Sequence, residues 1–529
     1  MGRRHRSPGG FRYHRRAVAV GSSVASSDVP AASAPDRPRR PAPAKRSEHL
    51  TLAVIVIAAV LVRLPSLGNS LFGDELSSYF IVTHHSLGGI VRLLDGHSVD
   101  LTPPMYFLLA RLVEHLGDSP LALRAVPMAA GTATVPLTYL FGLRTVGRRA
   151  GLVGAGLTAL SPFLVFYSTE ARAYALVMAL VVGSTLCLLR ALEAGRPAWW
   201  AGYALLACGA MYTHYTAVFV LVAQFSWAAL AHPVRRRALL VATAAAAAGF
   251  VPWIPVLVTN SHSFGTKVFG ILEPFTANAV VHDIEHWAVG HPYLPLRTSP
   301  GTAGLAAVVL GVVVSVIGLG AQRRQTLKLR VRPLLRSDSF LPVLLALATP
   351  LGLVVYSALR QDTWDMRNLI SSWPGLAVSA GALITAAPRL RWATVALVGA
   401  GFAVGAGQLL TSAHQRPDYA AVARFVKAQG PATDPVAVIV APTPGPLSAM
   451  DAAFAYAGQP NRPLLRIGSP SLTATLAEPP YALLPATPVA SLAAQAERAP
   501  AGARLFVIAP GSVPLAALLR SGRQNPVRA

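Results

Sequence analysis

Residues 48–76 read EHLTLAVIVIAAVLVRLPSLGNSLFGDEL, and two features of this stretch decide how the rest of the chain is read. From Leu50 to Leu67 the side chains are predominantly apolar over about 20 residues, the length that crosses roughly 30 Å of hydrocarbon. The run then opens onto Gly73-Asp74-Glu75, two adjacent carboxylates just beyond its end. A membrane span that exits into a charged loop is the predicted start. It lies behind a long Arg/Pro/Ser-rich segment, too deep for an ordinary cleaved signal peptide, and is expected to be a retained first span.

Working outward, similar runs recur at about 121–143, 150–167, 173–192, 199–213, 215–231, 238–258, 301–320, 340–358, 369–387 and 391–411. Together with 48–67 they predict an all-α polytopic membrane protein with about eleven transmembrane helices over residues 48–411. Composition agrees: 53% of the 529 residues are hydrophobic and 13% charged, against about 25% charged in soluble domains. Two cysteines, Cys187 and Cys208, both inside apolar runs, argue against a disulfide framework or a cysteine zinc site.

The formal charge of +24 reports topology rather than nucleic-acid binding, because its cations are not gathered on one soluble domain. Eleven of the 46 basic residues fall in residues 1–46, and sixteen more, from Arg144 to Arg391, fall in the even-numbered connections, whose only acids are Glu193 and Asp338. That asymmetry predicts a cytoplasmic N-terminus and even connections, with the odd connections and the C-terminus outside. Residues 1–47 lack the apolar content to order and are expected to be a disordered basic tail. The long outer loops are 68–120 and 259–300, and within the first of them residues 103–116 read as an interfacial helix. Residues 412–529 predict a small extracytoplasmic α/β domain, with a helix at Tyr419–Gln429 and strands at Val436–Ala441 and Leu505–Ala509.

Charged residues able to do chemistry fall in those outer loops. Asp74 beside Glu75 offers a general base and a supporting acid, although a solvated helix cap presents the same residues. Asp100 precedes Thr102-Pro103-Pro104, which an ordinary helix start also explains. Glu170 and Arg172, flanked by Tyr167 and Tyr174, suit a phosphate with rings for sugar or lipid, and suit an aromatic belt equally well. His214 could bind a metal or phosphate or merely be hydrogen-bonded, and Asp365 and Arg367 share a short turn with Arg360 and Asp362, where the charges could pair with one another. All of these residues fall on one face under a topology chosen without them. Carboxylates, guanidiniums and an imidazole at one surface can accept a proton, neutralise a phosphate and orient an acceptor.

Taken in order, these stretches resemble the bacterial membrane glycosyltransferases of the family 39 type within the GT-C superfold, related to protein O-mannosyltransferases and the lipid A aminoarabinose transferase. The matching segments are Arg63-Leu64 with Phe72-Gly73-Asp74-Glu75, then Asp100–Phe107, Gly147–Gly151 and Leu160–Leu176, with Arg367 and Pro374 as a later element. The resemblance implies a polyprenyl-phosphate monosaccharide donor, mannose-like or a pentose, and a glycan, lipid or protein acceptor at the outer face. It implies Asp74 as the base, Glu75 as its support, and Arg172, Arg367 and Tyr174 at the donor phosphate. Many relatives carry a His before the Pro-Pro pair, where this chain has Thr102. Some GT-C enzymes use a divalent cation, which would make Asp100, Glu170 and His214 substrate or metal residues. A transporter or flippase of lipid-linked saccharides is the competing class, but such proteins place charges near mid-bilayer within internal repeats, and no repeat is evident here.

Overall fold

The computed structural model describes residues 46–95, 100–114, 117, 120–261, 274–323, 335–411, 418–439, 445–467 and 506–508. The expected basic tail therefore lies almost wholly outside the described residues. All eleven apolar runs are helical. Among the described residues six helices are long and apolar enough to cross a membrane, and a seventh if Arg148–Leu160 and Pro162–Ser168, bent by 61° at their junction, form one span. The expected spans at 199–213, 215–231, 369–387 and 391–411 fall on the shorter helices Pro197–Met211, Ala217–Ala231, Trp373–Thr385 and Arg391–Gln408.

In chain order the helices that matter below are α1 (Arg46–Leu67), α2 (Glu75–His84), α3 (Leu87–Leu93), α4 (Met105–Glu114), α5 (Pro120–Thr145), α6 (Arg148–Leu160), α7 (Pro162–Ser168), α8 (Tyr174–Ala194), α9 (Pro197–Met211) and α10 (Ala217–Ala231). On α1, Leu50, Val54, Ile57 and Leu61 stand exposed at helical spacing, an outward apolar stripe that water would penalise and lipid tolerates. Inside, small residues let helices touch. A Cβ on Gly142 of α5 would lie 2.5 Å from the Cα of Gly151 on α6, the close approach that packing without a hydrophobic driving force relies on. Gln224 of α10 donates to Thr185 Oγ1 of α8 at 2.8 Å, a polar tie inside the bundle.

The bend between α6 and α7 has an identifiable cause. Pro162 lacks the N–H that would bond the carbonyl of Thr158, and Ser161 Oγ caps the new helix by accepting from Leu164 N at 3.3 Å. Arg63 of α1 takes up the freed carbonyls, donating to Ala159 O at 2.9 Å and Thr158 O at 3.3 Å. The sequence places Arg63 near a helix end facing water; in the fold it is fully buried.

Further along are α11 (Arg236–Phe250), α12 (Ile254–Ser261), α13 (Ala277–Val289), α14 (Thr302–Arg323), α15 (Leu341–Leu359), α16 (Trp373–Thr385) and α17 (Arg391–Gln408). Within the 103–116 segment the described helix is α4, Met105–Glu114, whose Tyr106, Phe107 and Ala110 are buried. Beyond the bundle, α18 (Tyr419–Gln429) matches the expected helix and is followed by α19 (Gly445–Tyr456). Strands β1 (Val436–Ile439), β2 (Leu464–Ile467) and β3 (Phe506–Ile508) form a parallel sheet of order β2-β1-β3, with Val436 opposite Leu464 and Phe506. This unit sits on the loop that carries Asp74: Ala420 N donates to Ser70 Oγ at 2.8 Å, and Tyr456 packs edge-on against Tyr79 with ring centres 5.3 Å apart.

Candidate active site

Asp74 is presented by a loop that is locked from below. Gly73 adopts φ 56°, a left-handed turn that side chains disfavour. Asp74 then occupies the N-cap position of α2 but makes no side-chain cap bond, so its carboxylate is not spent on the helix. Arg124, in the second turn of α5, donates from Nη1 to the carbonyls of Ser66, Leu67 and Asn69 and from Nη2 to Ser70 O. The same guanidinium holds Glu75, Nε to Oε1 at 2.8 Å and Nη2 to Oε2 at 2.7 Å, with both side chains fully buried. Ala171 N adds a bond to Glu75 Oε1 at 2.7 Å. Through these bonds the Glu75 oxygens fix the loop from which Asp74 projects.

Three further ion pairs, made by two arginines, gather near this loop. Arg367 Nη1 donates to Asp74 Oδ2 at 2.6 Å, while its Nε lies 2.6 Å from Asp365 Oδ2. Burial pushes the Asp365 carboxyl above its ordinary value against the pull of Arg367, and nearby Asp283 and Asp74 push the same way as burial. Arg172 Nη1 donates to Asp100 Oδ2 at 2.6 Å and Nη2 to Thr102 Oγ1 at 2.8 Å. Ser77 of α2 also donates to Asp100, at 2.8 Å, which ties this pair to the helix that Asp74 caps. Burial alone would raise Asp100, but the Arg172 charge and the hydrogen bonds outweigh it and hold the carboxyl at about 2. Arg172 is raised well above the ordinary guanidinium value, Asp100 and other nearby anions outweighing the cost of burial, so it stays charged.

Aromatic rings wall the cluster. Tyr167 and Tyr174 meet with centres 5.0 Å apart, Tyr174 faces His214 at 5.7 Å, and Phe166 joins Tyr167 to Tyr293 at 5.1 and 5.2 Å. Tyr174 is buried, a wall rather than an open stacking platform. The His214 ring takes Thr216 as partner, Nδ1 to Oγ1 at 2.9 Å, and is held at about 3 by burial first and then by the Arg172 and Arg367 charges, so it is neutral at physiological pH. Glu170 is buried against the same wall, its charge reaching Tyr293. The described residues do not suit a metal. No three His, Cys, Asp or Glu side chains converge on a common point among them, and both Asp100 oxygens face the Arg172 guanidinium. Sequence reading missed Arg124 and Tyr293. Arg124 carried a signal, a charge a few residues inside an apolar run, whereas Tyr293 sits in a Pro-rich loop with no pattern to mark it.

The comparisons with known proteins agree with this architecture. Residues 101–258 match the family described as dolichyl-phosphate-mannose-protein mannosyltransferase. Among curated proteins, no sequence matches. The crystal structure of the Archaeoglobus fulgidus oligosaccharyltransferase tethered with an acceptor peptide superposes with TM-score 0.50 at 11% identity, over 81% of this chain and 64% of that one. ArnT from Cupriavidus metallidurans bound to undecaprenyl phosphate gives TM-score 0.49 at 13% identity, over 84% of this chain and 90% of that one. The chain is thus a multi-pass membrane protein with the GT-C glycosyltransferase fold, similar over residues 101–258 to the protein mannosyltransferases.

Proposed function

We propose that the chain transfers a monosaccharide, mannose-like or a pentose, from a polyprenyl-phosphate donor to an acceptor hydroxyl at the extracytoplasmic face, with Asp74 as general base. The observation that carries this reading is the 2.6 Å contact between Asp74 and Arg367, residues 293 positions apart, beside the buried Arg172–Asp100 pair. The donor class is supported by the family matched over residues 101–258, whose description names dolichyl-phosphate-mannose. The side follows from the charge asymmetry of the connections.

In the reaction the acceptor oxygen bonds to C1 of the sugar as the C1–O bond to phosphate breaks. The hydroxyl proton passes to Asp74, and polyprenyl phosphate leaves with one more negative charge than the donor carried. Arg367 is placed to exchange Asp74 for a phosphate oxygen, which frees the carboxylate as the donor arrives. Arg172, kept cationic by Asp100, stabilises the charge that grows on the leaving group. An apolar groove of about 640 Å³ between α1 and α5, lined by Val56, Leu67, Leu121, Met128, Ala129 and Pro136, begins at the end of the bundle that bears the Asp74 loop and suits a prenyl tail.

Purified protein given radiolabelled polyprenyl-phosphate mannose and polyprenyl-phosphate pentose tests the reading. Wild type should release the label to an acceptor or to water, and Asp74→Asn should slow this by about 100-fold or more. Equal rates for the two proteins would remove Asp74 from the role of base.

A further inference from the structure

Beside the charged cluster, α13 and the chain that follows it wall a second cavity, of about 410 Å³, lined by His282, His286, Pro292, Tyr293, Pro295 and Arg297 among others. None of these residues has a part in the transfer step above. We infer that this cavity is the acceptor subsite and that it takes a neutral carbohydrate, an inference that rests on the transferase reading.

Position is the first support. Tyr293 is shared between the cavity and the charged site: its ring packs on Phe166, and Glu170, Arg367, Asp74 and Asp365 are all within electrostatic reach of its hydroxyl. A ligand lying on Tyr293 would thus present its leading hydroxyl toward Asp74. Shape is the second. Tyr293 as a residue is 62% exposed and its ring meets Phe166 edge-on, at 64°, so an aromatic surface is offered to a sugar ring beside a few polar groups.

Hydrogen-bonding capacity is the third. His282 and His286 stack with centres 4.0 Å apart; Nδ1 of His282 is taken by Asp283 Oδ1 at 3.0 Å and Nδ1 of His286 by His282 O at 2.8 Å. Nε2 of each lining ring is left to exchange a hydrogen bond with a hydroxyl group. Arg297 is the one Lys, Arg, Asp or Glu side chain among the described residues that line the cavity, too little charge to select a polyanion. Rings, imidazoles and one guanidinium together match the hydroxyl groups and apolar faces of an uncharged saccharide.

Binding of neutral disaccharides (mannobiose, cellobiose, lactose) to the full chain in nanodiscs, without donor, tests this by saturation-transfer NMR. At least one should bind wild type saturably. Tyr293→Ala should weaken that binding about tenfold or more and Tyr293→Phe should keep it, while polyprenyl phosphate binds all three proteins alike. No disaccharide binding to wild type, equal binding to Tyr293→Ala, or displacement of the sugar by a Ser/Thr-rich peptide but by no second saccharide would overturn the inference. Sugar binding lost in Tyr293→Ala, with no polyprenyl phosphate binding to any of the three proteins, would instead sink the transferase reading and leave the carbohydrate site standing.

Discussion

Removing the Arg124 guanidinium would leave the Glu75 carboxylate buried without its cation and take a donor from the carbonyls of Ser66, Leu67, Asn69 and Ser70. Breaking one partner of a buried pair costs about 3–5 kcal/mol, so Arg124→Met should lower the thermal midpoint sharply in detergent. Pairing it with Glu75→Gln should recover part of the loss. His214 makes a second residue-level prediction. Its folded pKa is depressed to about 3, so the unfolded chain takes up a proton below its ordinary value of 6.5 while the folded chain does not. Stability from this site is therefore full above about pH 6.5 and falls as the pH drops toward 3. His214→Gln should flatten the fall in thermal midpoint between pH 7.5 and pH 5. At this scale the sequence was informative about the kind of residue and silent about its partner. Asp74 and Glu75 are neighbours in the chain, yet one faces Arg367 and the other Arg124, a difference that only long-range packing decides.

At the level of elements, the helices of the bundle were readable because each carries an apolar run of the right length, and the Gly147–Gly151 and Leu160–Leu176 stretches fall at the start of α6 and at the α6–α7 bend. The C-terminal unit was harder to read. Helix α19 opens on Gly445-Pro446 after a Pro-rich stretch, which locally reads as loop, and β2 is only four residues long, Leu464–Ile467, too short for a period to emerge. The groove between α1 and α5 was invisible in the sequence because small side chains on α5, Ala125, Ala129 and Ala133, make it only once α1 lies alongside. Filling it should cost donor binding without touching the charged site. Ala129→Trp should raise the KM for a long-chain polyprenyl-phosphate sugar about tenfold, the loss of one to two buried methylene contacts, and raise it less for a two-isoprene analogue. An equal effect on both donors would place the tail elsewhere.

Across the whole molecule, the account joins segments that the chain keeps far apart. Residues 74 and 75, 100 and 102, 170–174, 214, 293 and 365–367 come from separate loops, and the fold gathers them at one end of the bundle beneath the α18–α19 unit. The most direct test is chemical cross-linking across that gathering. In a background of Cys187→Ser and Cys208→Ser, the pair Asp74→Cys and Arg367→Cys should be joined by a short membrane-impermeant bis-methanethiosulfonate added on the side opposite the N-terminus, and polyprenyl phosphate should suppress the reaction. A pair that stays unlinked, or that reacts only from the side bearing the N-terminus, would contradict the account.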